Sequence, residues 1–311
     1  MSVSLPIKRS SRVRTLRMFG MGLSFSLMLA SALTIIAILL LVLGIIIKNG
    51  APGLSWGFLT QPPTNGFESG GIFPAIFGTV ALVLIMTIAV MPVGVITAIY
   101  LHEYTRSSSL VARLVRLSVN NLAGVPSVVF GLFGVGFFIQ FLGTGIDQAF
   151  YGGALTFGQP ALVWAALTLA LLTLPVVIVT TEEALRTVPQ ELRDASLALG
   201  ATRVQTLVKI VLPQAIPGML TGAILAISRG AGEVAPIMLT GAAYYLPYLP
   251  SKLNDQFMEL GYHIYILATQ SPDVEKTLPI LYSTVLVLLL LTFLLNLSAV
   301  ALRSITRAQM R

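Results

Sequence analysis

The sequence predicts an all-α membrane protein with six transmembrane helices, and three observations predict it. Of 311 residues, 56% are hydrophobic and only 10% are charged, whereas a soluble domain carries about 25% charged residues. Long apolar runs recur six times, at 25–47, 72–99, 119–142, 161–180, 215–239 and 278–301, and about 20 helical residues suffice to cross a bilayer core of about 30 Å. Between those runs, Lys and Arg concentrate in alternate connecting segments.

The first run follows Lys8, Arg9, Arg12, Arg14 and Arg17. It exceeds the roughly 7–15 residues of a signal-peptide core and lacks an A-x-A exit, so it is expected to stay as an uncleaved anchor. Residues 1–24 then form a basic cytoplasmic terminus, and 25–71 the anchor helix with the first outer loop. With that end inside, the cytoplasmic segments also hold Arg106, Arg113 and Arg116, then Arg186, Arg193, Arg203 and Lys209, and finally Arg303, Arg307 and Arg311 in the terminal segment 302–311. Fifteen inner cations face three outer ones, Lys48, Lys252 and Lys276. The positive-inside rule places both termini in the cytoplasm.

That distribution also removes nucleic acid as a partner, because the net charge of +7 leaves no continuous basic face. Membrane lipid is the expected neighbour. With no cysteine, disulfides, thiolate nucleophiles, haem attachment and Cys-ligated zinc all drop out. The two histidines, His102 and His263, fall on opposite sides of the membrane in this topology, so they do not share a metal.

Prolines 74, 92, 126, 175, 217 and 236 lie within the apolar runs. Proline removes a backbone donor, so these helices are expected to bend and pack as one core over 72–301. Outer loops at 48–71, 143–160 and 240–277 carry Trp56, Phe67, Tyr151 and Tyr248, residue types suited to the membrane interface.

The cytoplasmic segment 181–214 is patterned rather than a plain connector. Pro189 suits a first helical turn, Glu191 and Asp194 suit a helix N-terminus, and Leu192, Ala195 and Leu199 recur at helical spacing before Gly200. A second short helix with Val204, Leu207 and Val208 on one face leads to Leu212-Pro213. The expectation is a two-helix finger pointing into the cytoplasm, or else an amphipathic pair lying on the lipid surface.

Here the sequence resembles a known family. Asp194-Ala195-Ser196, Gly200, Ile210 and Leu212-Pro213 stand at the spacings of the EAA loop of ABC-importer permeases, with Asp for Glu and Ser for the second Ala. Longer stretches resemble the phosphate-specific branch and its A-type permease subunit. They are 98–104 (AIYLHEY), 122–134 (LAGVPSVVFGLFG), the segment 195–241, and 262–271 (YHIYILATQS).

The resemblance implies a MetI-like permease core that forms half of a translocation path for inorganic phosphate. It implies a heterodimer with a C-type permease, two copies of a P-loop ATPase, and an extracytoplasmic phosphate-binding protein in a bacterial or archaeal cytoplasmic membrane. The EAA residues would supply the coupling helix that enters a groove of the ATPase, with Gly200 allowing a tight turn. The chain itself would bind no cofactor, ATP being used by the partner subunit. Consistent with that, no GxxxxGK[ST] loop occurs, and no H-E-x-x-H pair.

Arg229 and Glu233 are charged residues inside the fifth run and lie four apart. For a helix entering near Pro217, a rise of about 1.5 Å per residue puts Arg229 about 18 Å deep. A charge at that depth costs about 3 kcal/mol even on the lenient scale, so it needs a partner or a watery path. Two readings stand: a structural pair that neutralises itself, or path residues, where the guanidinium fork binds an anion and the carboxylate keeps it from being held too tightly. Gly230, Ala231 and Gly232 leave room beside them, and the resemblance assigns both to the path.

Glu103 is a second candidate for the path, as a gating charge or as a helix-end charge paired with Arg106. Ser127 offers a hydroxyl to the path or bonds its own helix backbone. Alternatives to phosphate import are transport of another oxyanion, a membrane scaffold, and a membrane enzyme.

Overall fold

The structure, a computed structural model, describes residues 11–67, 69–105 and 109–309. Lys8, Arg9, Arg106 and Arg311, used above in the charge argument, lie outside the described residues. Six helices among those described are long and apolar enough to cross a membrane, spanning Ser24–Gly53, Phe73–Tyr104, Ser127–Phe150, Leu162–Arg186, Arg203–Gly230 and Val274–Thr306.

The chain opens with α1 (Ser11–Gly50), an unbroken helix of 40 residues. In its apolar stretch no side chain is buried, as fits a helix facing lipid. A turn of 3-10 helix and α2 (Trp56–Thr60) follow, α2 being capped by Ser55, whose Oγ accepts from the Phe58 N–H at 3.1 Å. A two-residue hairpin, β1 (Pro63–Thr64) against β2 (Ser69–Gly70), leads to α3 (Phe73–Ile99), which ends in a π-helical turn, Tyr100–Tyr104.

The expectation for the third span is corrected here. The apolar run at 119–142 suggested one helix, but α4 (Leu110–Leu122) stops short and α5 (Ser127–Phe133) starts afresh. Gly124 and Pro126 explain the break, because Pro126 disfavours helical geometry at Val125 and has no N–H to continue the ladder. The span then runs through a π-helical stretch, Gly134–Gly143, into α6 (Thr144–Phe150).

Helix α7 (Leu162–Arg186) is the most enclosed of the six spans. It continues past the membrane end expected at 180, so the two-helix finger starts later. Pro189 does not take the first turn. It is the N-cap residue of α8 (Gln190–Ala198). After Gly200 come α9 (Arg203–Thr206), a π-helical turn, Leu207–Val211, and α10 (Leu212–Gly230). Leu212-Pro213 therefore marks no re-entry: helix runs on from Arg203 to Gly230. The expected apolar face of the second short helix also divides, since Leu207 is buried while Val204 and Val208 are exposed.

The fifth run at 215–239 is likewise two pieces. Helix α10 ends at Gly230, the chain turns through 231–234, and α11 (Ala235–Thr240) resumes. Gly230, Gly232 and Pro236 supply the poor helix formers that bracket the break. Helices α12 (Leu260–Thr269) and α13 (Val274–Gln309) complete the chain. Helix α1 is tied to α13 at one end, where Ser283 Oγ donates to the Gly50 carbonyl at 2.9 Å.

The main core joins α3, α7, α10 and α11 through Leu82, Met86, Leu169, Val177, Ala226 and Ile237, and is closed by Phe257. Pro92, Pro175 and Pro217 sit within helices, and Pro74 and Pro236 in first turns. Three buried threonines bond back along their own helices, whereas the buried Thr181 hydroxyl has no partner among the described residues. Thr79 donates to Ala75 O at 2.8 Å, Thr168 to Trp164 O at 2.7 Å and Thr240 to Pro236 O at 2.9 Å, so no hydroxyl of these three is left unpaired in an apolar interior.

Candidate functional site

Arg229 is the penultimate residue of α10. Its depth follows from its neighbours: a Cβ on Gly230 would lie 2.7 Å from Met86 Cε, and Met86 stands near the middle of the span Phe73–Tyr104. The guanidinium thus starts from mid-span of the core. The pair with Glu233 is not stacked on one continuous helical face, as the spacing alone suggested. It bridges the break, with Gly232 N–H donating to Arg229 O at 3.2 Å and Glu233 N–H to Gly230 O at 3.4 Å.

The contact is long and one-sided. Arg229 Nε lies 3.4 Å from Glu233 Oε1, and the side chains remain 37% and 20% exposed. Among the described residues Glu233 engages only Nε, so both terminal nitrogens of the fork lack a protein partner. A closed structural pair would use them. Next to it, Ser228 Oγ donates to Asn296 Oδ1 of α13 at 2.6 Å, a polar link between spans that the sequence reading missed. Its only signal was one asparagine in an otherwise apolar run.

Ser127 begins α5, half-buried, and makes no cap hydrogen bond. Among the described residues its hydroxyl makes no bond to a carbonyl one turn back, so the backbone-bonding alternative is not the one the structure adopts. Among the described residues no hydrogen bond joins it to Arg229 or Glu233.

Glu103 lies elsewhere, in the π turn that ends α3 beside the finger. Arg193 of α8 grips it: Nη1 contacts Glu103 Oε1, and Nη2 donates to Leu185 O at 2.9 Å. A second arginine clamps the same turn from the other side, Arg116 Nη2 donating to Leu101 O at 3.0 Å and to Glu182 Oε1 at 3.1 Å. Neither clamp was read from the sequence.

The finger presents an open apolar surface. No residue of α8 is buried, and Leu192, Leu197 and Leu199 are exposed, Leu199 at 90%. Asp194 accepts from Gln190 Nε2 at 3.0 Å, and Ala195 faces solvent. Gly200 has φ +85° with open space around its Cα, the left-handed turn that glycine favours. Ser196 points inward, its Oγ 2.9 Å from Thr206 Oγ1, and Thr202 with Gln205 forms a capping box for α9. Ile210, Leu212 and Pro213 are half-buried in the continuous helix. Asp194, Ala195 and Gly200 therefore form the outer surface, while the other four EAA positions hold the finger's shape.

At the opposite end, Glu259 and His263 are buried. Glu259 caps α12, accepting from Tyr262 N–H at 2.7 Å and from Thr79 Oγ1 at 3.4 Å. Burial pushes its carboxyl up to about 7 despite those donors. His263 rests against the Phe67 ring, centroids 4.9 Å apart, with no hydrogen-bond partner on either ring nitrogen among the described residues. Burial lowers it to about 4, so it is neutral at pH 7.

The string Gly53-Leu54-Ser55-Trp56-Gly57 spells a G-x-S-x-G nucleophile motif, yet Ser55 merely caps α2 and no strand precedes it. The strand–turn–helix context that gives this motif its chemistry is missing.

Residues 90–310 match the family described as binding-protein-dependent transport system inner membrane component. The chain is 33% identical over 258 residues to the probable ABC transporter permease protein YqgI of Bacillus subtilis (strain 168), covering 78% of this chain and 82% of that one. It is 31% identical over 251 residues to the probable phosphate transport system permease protein PstA of Methanocaldococcus jannaschii, covering 80% and 82%. It is 40% identical over 171 residues to phosphate transport system permease protein PstA 1 of Mycobacterium tuberculosis (strain ATCC 25618 / H37Rv), covering 55% of this chain and 50% of that one, so it spans about half the length of this relative. In fold it is similar to a chain of a bacterial ABC transporter involved in the import of the acidic polysaccharide alginate, with TM-score 0.64 at 16% identity over 93% of this chain and 98% of that one.

Proposed function

We propose, from the premise that the chain belongs to the family of binding-protein-dependent transport system inner membrane components, that it is a permease subunit of an ATP-driven importer of inorganic phosphate. A multi-pass membrane permease of an ABC importer works with an ATPase and another permease subunit. The finer assembly is our reading: a C-type permease as the second half of the path, two P-loop ATPase copies, and an extracytoplasmic phosphate-binding protein. The complex would sit in a bacterial or archaeal cytoplasmic membrane with both termini inside.

The observation that carries the substrate is Arg229. A guanidinium at mid-span whose two terminal nitrogens lack protein partners matches the bidentate geometry of a tetrahedral oxyanion. It stands at a break in the helix, where irregular backbone is tolerated at membrane depth only beside protein or a watery cavity. Glu233, held to Nε alone, opposes the anion and lowers the affinity enough for release. The names of the PstA relatives support phosphate.

Coupling would run through the outer surface of the finger, Asp194, Ala195, Leu199 and Gly200, where Ala195 and Leu199 are left uncovered by the described residues. Burying such a surface in a partner's groove is favourable.

The test is uptake of labelled phosphate, sulfate and molybdate in cells lacking only this chain, complemented with the wild type or with Arg229→Gln. The wild type should restore phosphate uptake alone, and Arg229→Gln should not, with the complex still assembled. Restoration of sulfate or molybdate uptake instead would reject phosphate. Full uptake by a variant with an apolar pair at 229 and 233 would reject the path role and leave a structural pair.

A further inference from the structure

Where the finger meets the membrane-spanning helices there is a cavity of about 600 Å³, at the other end of the helix Arg203–Gly230 from Arg229. It lies between α8, the π turn Tyr100–Tyr104 and the end of α7, and its charged or polar lining includes His102, Glu103, Arg186, Gln190, Arg193 and Arg203. Three arginines face one carboxylate. Arg193 and Glu103 neutralise each other, and Arg193 spends its second terminal nitrogen on Leu185 O. Arg186 and Arg203 have no ion-pair partner among the described residues, so the lining carries an excess of positive charge, with Glu182 and Glu183 nearby on the helix of Arg186, and the cavity has the size of a small-ligand site.

We infer that this cytoplasmic cavity binds a phosphate group held between Arg186 and Arg203. Two guanidinium groups lining one half-open cavity suit an oxyanion with several acceptor oxygens, and His102 and Gln190 add further hydrogen-bonding groups. A phosphate group reaches this place from two sources. One is free inorganic phosphate in the cytoplasm; the other is the headgroup of an anionic phospholipid, since the cavity adjoins the inner ends of α3 and α7. An occupant sits against the Glu103–Arg193 contact and therefore braces the finger on α3. The site is separate from the proposed path and does not depend on what crosses the membrane.

The test uses the assembled complex in nanodiscs, comparing wild type with the double variant Arg186→Gln/Arg203→Gln. In discs of zwitterionic lipid, equilibrium dialysis measures labelled inorganic phosphate without binding protein, with Arg229→Gln present in both samples to remove the path. In discs containing phosphatidylglycerol, native mass spectrometry counts lipids retained. The inference expects a saturable phosphate site or a retained anionic lipid in the wild type, weakened about tenfold or more per arginine removed. Retention of phosphate alone assigns free anion; retention of lipid assigns the headgroup. Equal binding by both proteins in both arms overturns the inference. So does loss of the ATPase subunit from the double variant, which would mean that an acidic side chain of that subunit fills the cavity.

Discussion

Replacing Arg193 by Gln should uncouple the importer, and the structure gives the size of the effect. Arg193 and Glu103 are only 12% and 18% exposed, so their contact is poorly screened by water. Breaking a fully buried pair by removing one partner costs about 3–5 kcal/mol, whereas exposed pairs contribute less than about 1 kcal/mol; a mostly enclosed pair falls between, near 2 kcal/mol. The backbone bond to Leu185 O at 2.9 Å is lost as well, adding about 1 kcal/mol. That free energy holds α8 against the end of α3, not the helices in the membrane, so insertion should survive while the finger moves independently of the span. In proteoliposomes with ATPase and binding protein, phosphate moved per ATP hydrolysed should fall severalfold in Arg193→Gln and in Glu103→Gln. The swapped pair Arg193→Glu/Glu103→Arg should regain part of it, though not the Leu185 bond. If both single variants assemble and transport as many phosphates per ATP as the wild type, the latch reasoning is wrong.

Gly200→Asn and Gly200→Val both place a side chain on the exposed turn, but only Asn accepts φ +85° readily. Both should weaken the ATPase response to loaded binding protein, with Val alone also lowering helical content of an isolated finger peptide by circular dichroism. Gly230→Val should destabilise the core, because its branches meet Met86, and Met86→Ala should partly rescue thermal stability. At the end opposite the finger the pH signs oppose each other. Glu259, raised from 4.5 to about 7, contributes stability below pH 4.5 that is lost as pH rises through 7; His263, lowered from 6.5 to about 4, contributes stability above 6.5 that is lost as pH falls through 4. Each is worth about 3 kcal/mol, and between pH 4.5 and 6.5 they cancel. Melting of the wild type should therefore be flat over that window, and melting of Glu259→Gln should rise with pH as His263 sheds its proton.

What was legible in the sequence is what local composition and short spacing encode. Six spans follow from apolar runs, and the alternation of cations from their connectors. The start and turn of the finger were also legible, because Pro189 and Gly200 punctuate it at short range, whereas Pro213 lies inside continuous helix and marks no boundary. Errors fell where apolar composition continues across a backbone break. Runs 119–142 and 215–239 look uniform by hydropathy, yet Gly124 with Pro126, and Gly230 with Gly232 and Pro236, stop the helices.

What was not legible is pairing between distant residues. Glu103 and Arg193 are 90 positions apart, and Arg116 and Glu182 are 66 apart; no periodicity announces either. The two clamps share a target, the turn Tyr100–Tyr104, and that turn is π-helical. A π turn widens the ring of backbone bonds, which leaves carbonyls such as Leu101 O open to a side-chain donor, and Arg116 uses it. Glu103 is thus aimed at the finger by the same irregularity that frees Leu101 O. The AIYLHEY stretch, first notable for family resemblance, has a physical reason to be distinctive: it is where α3, the helix that carries Met86 against Gly230, is gripped from α4 on one side and from α8 on the other.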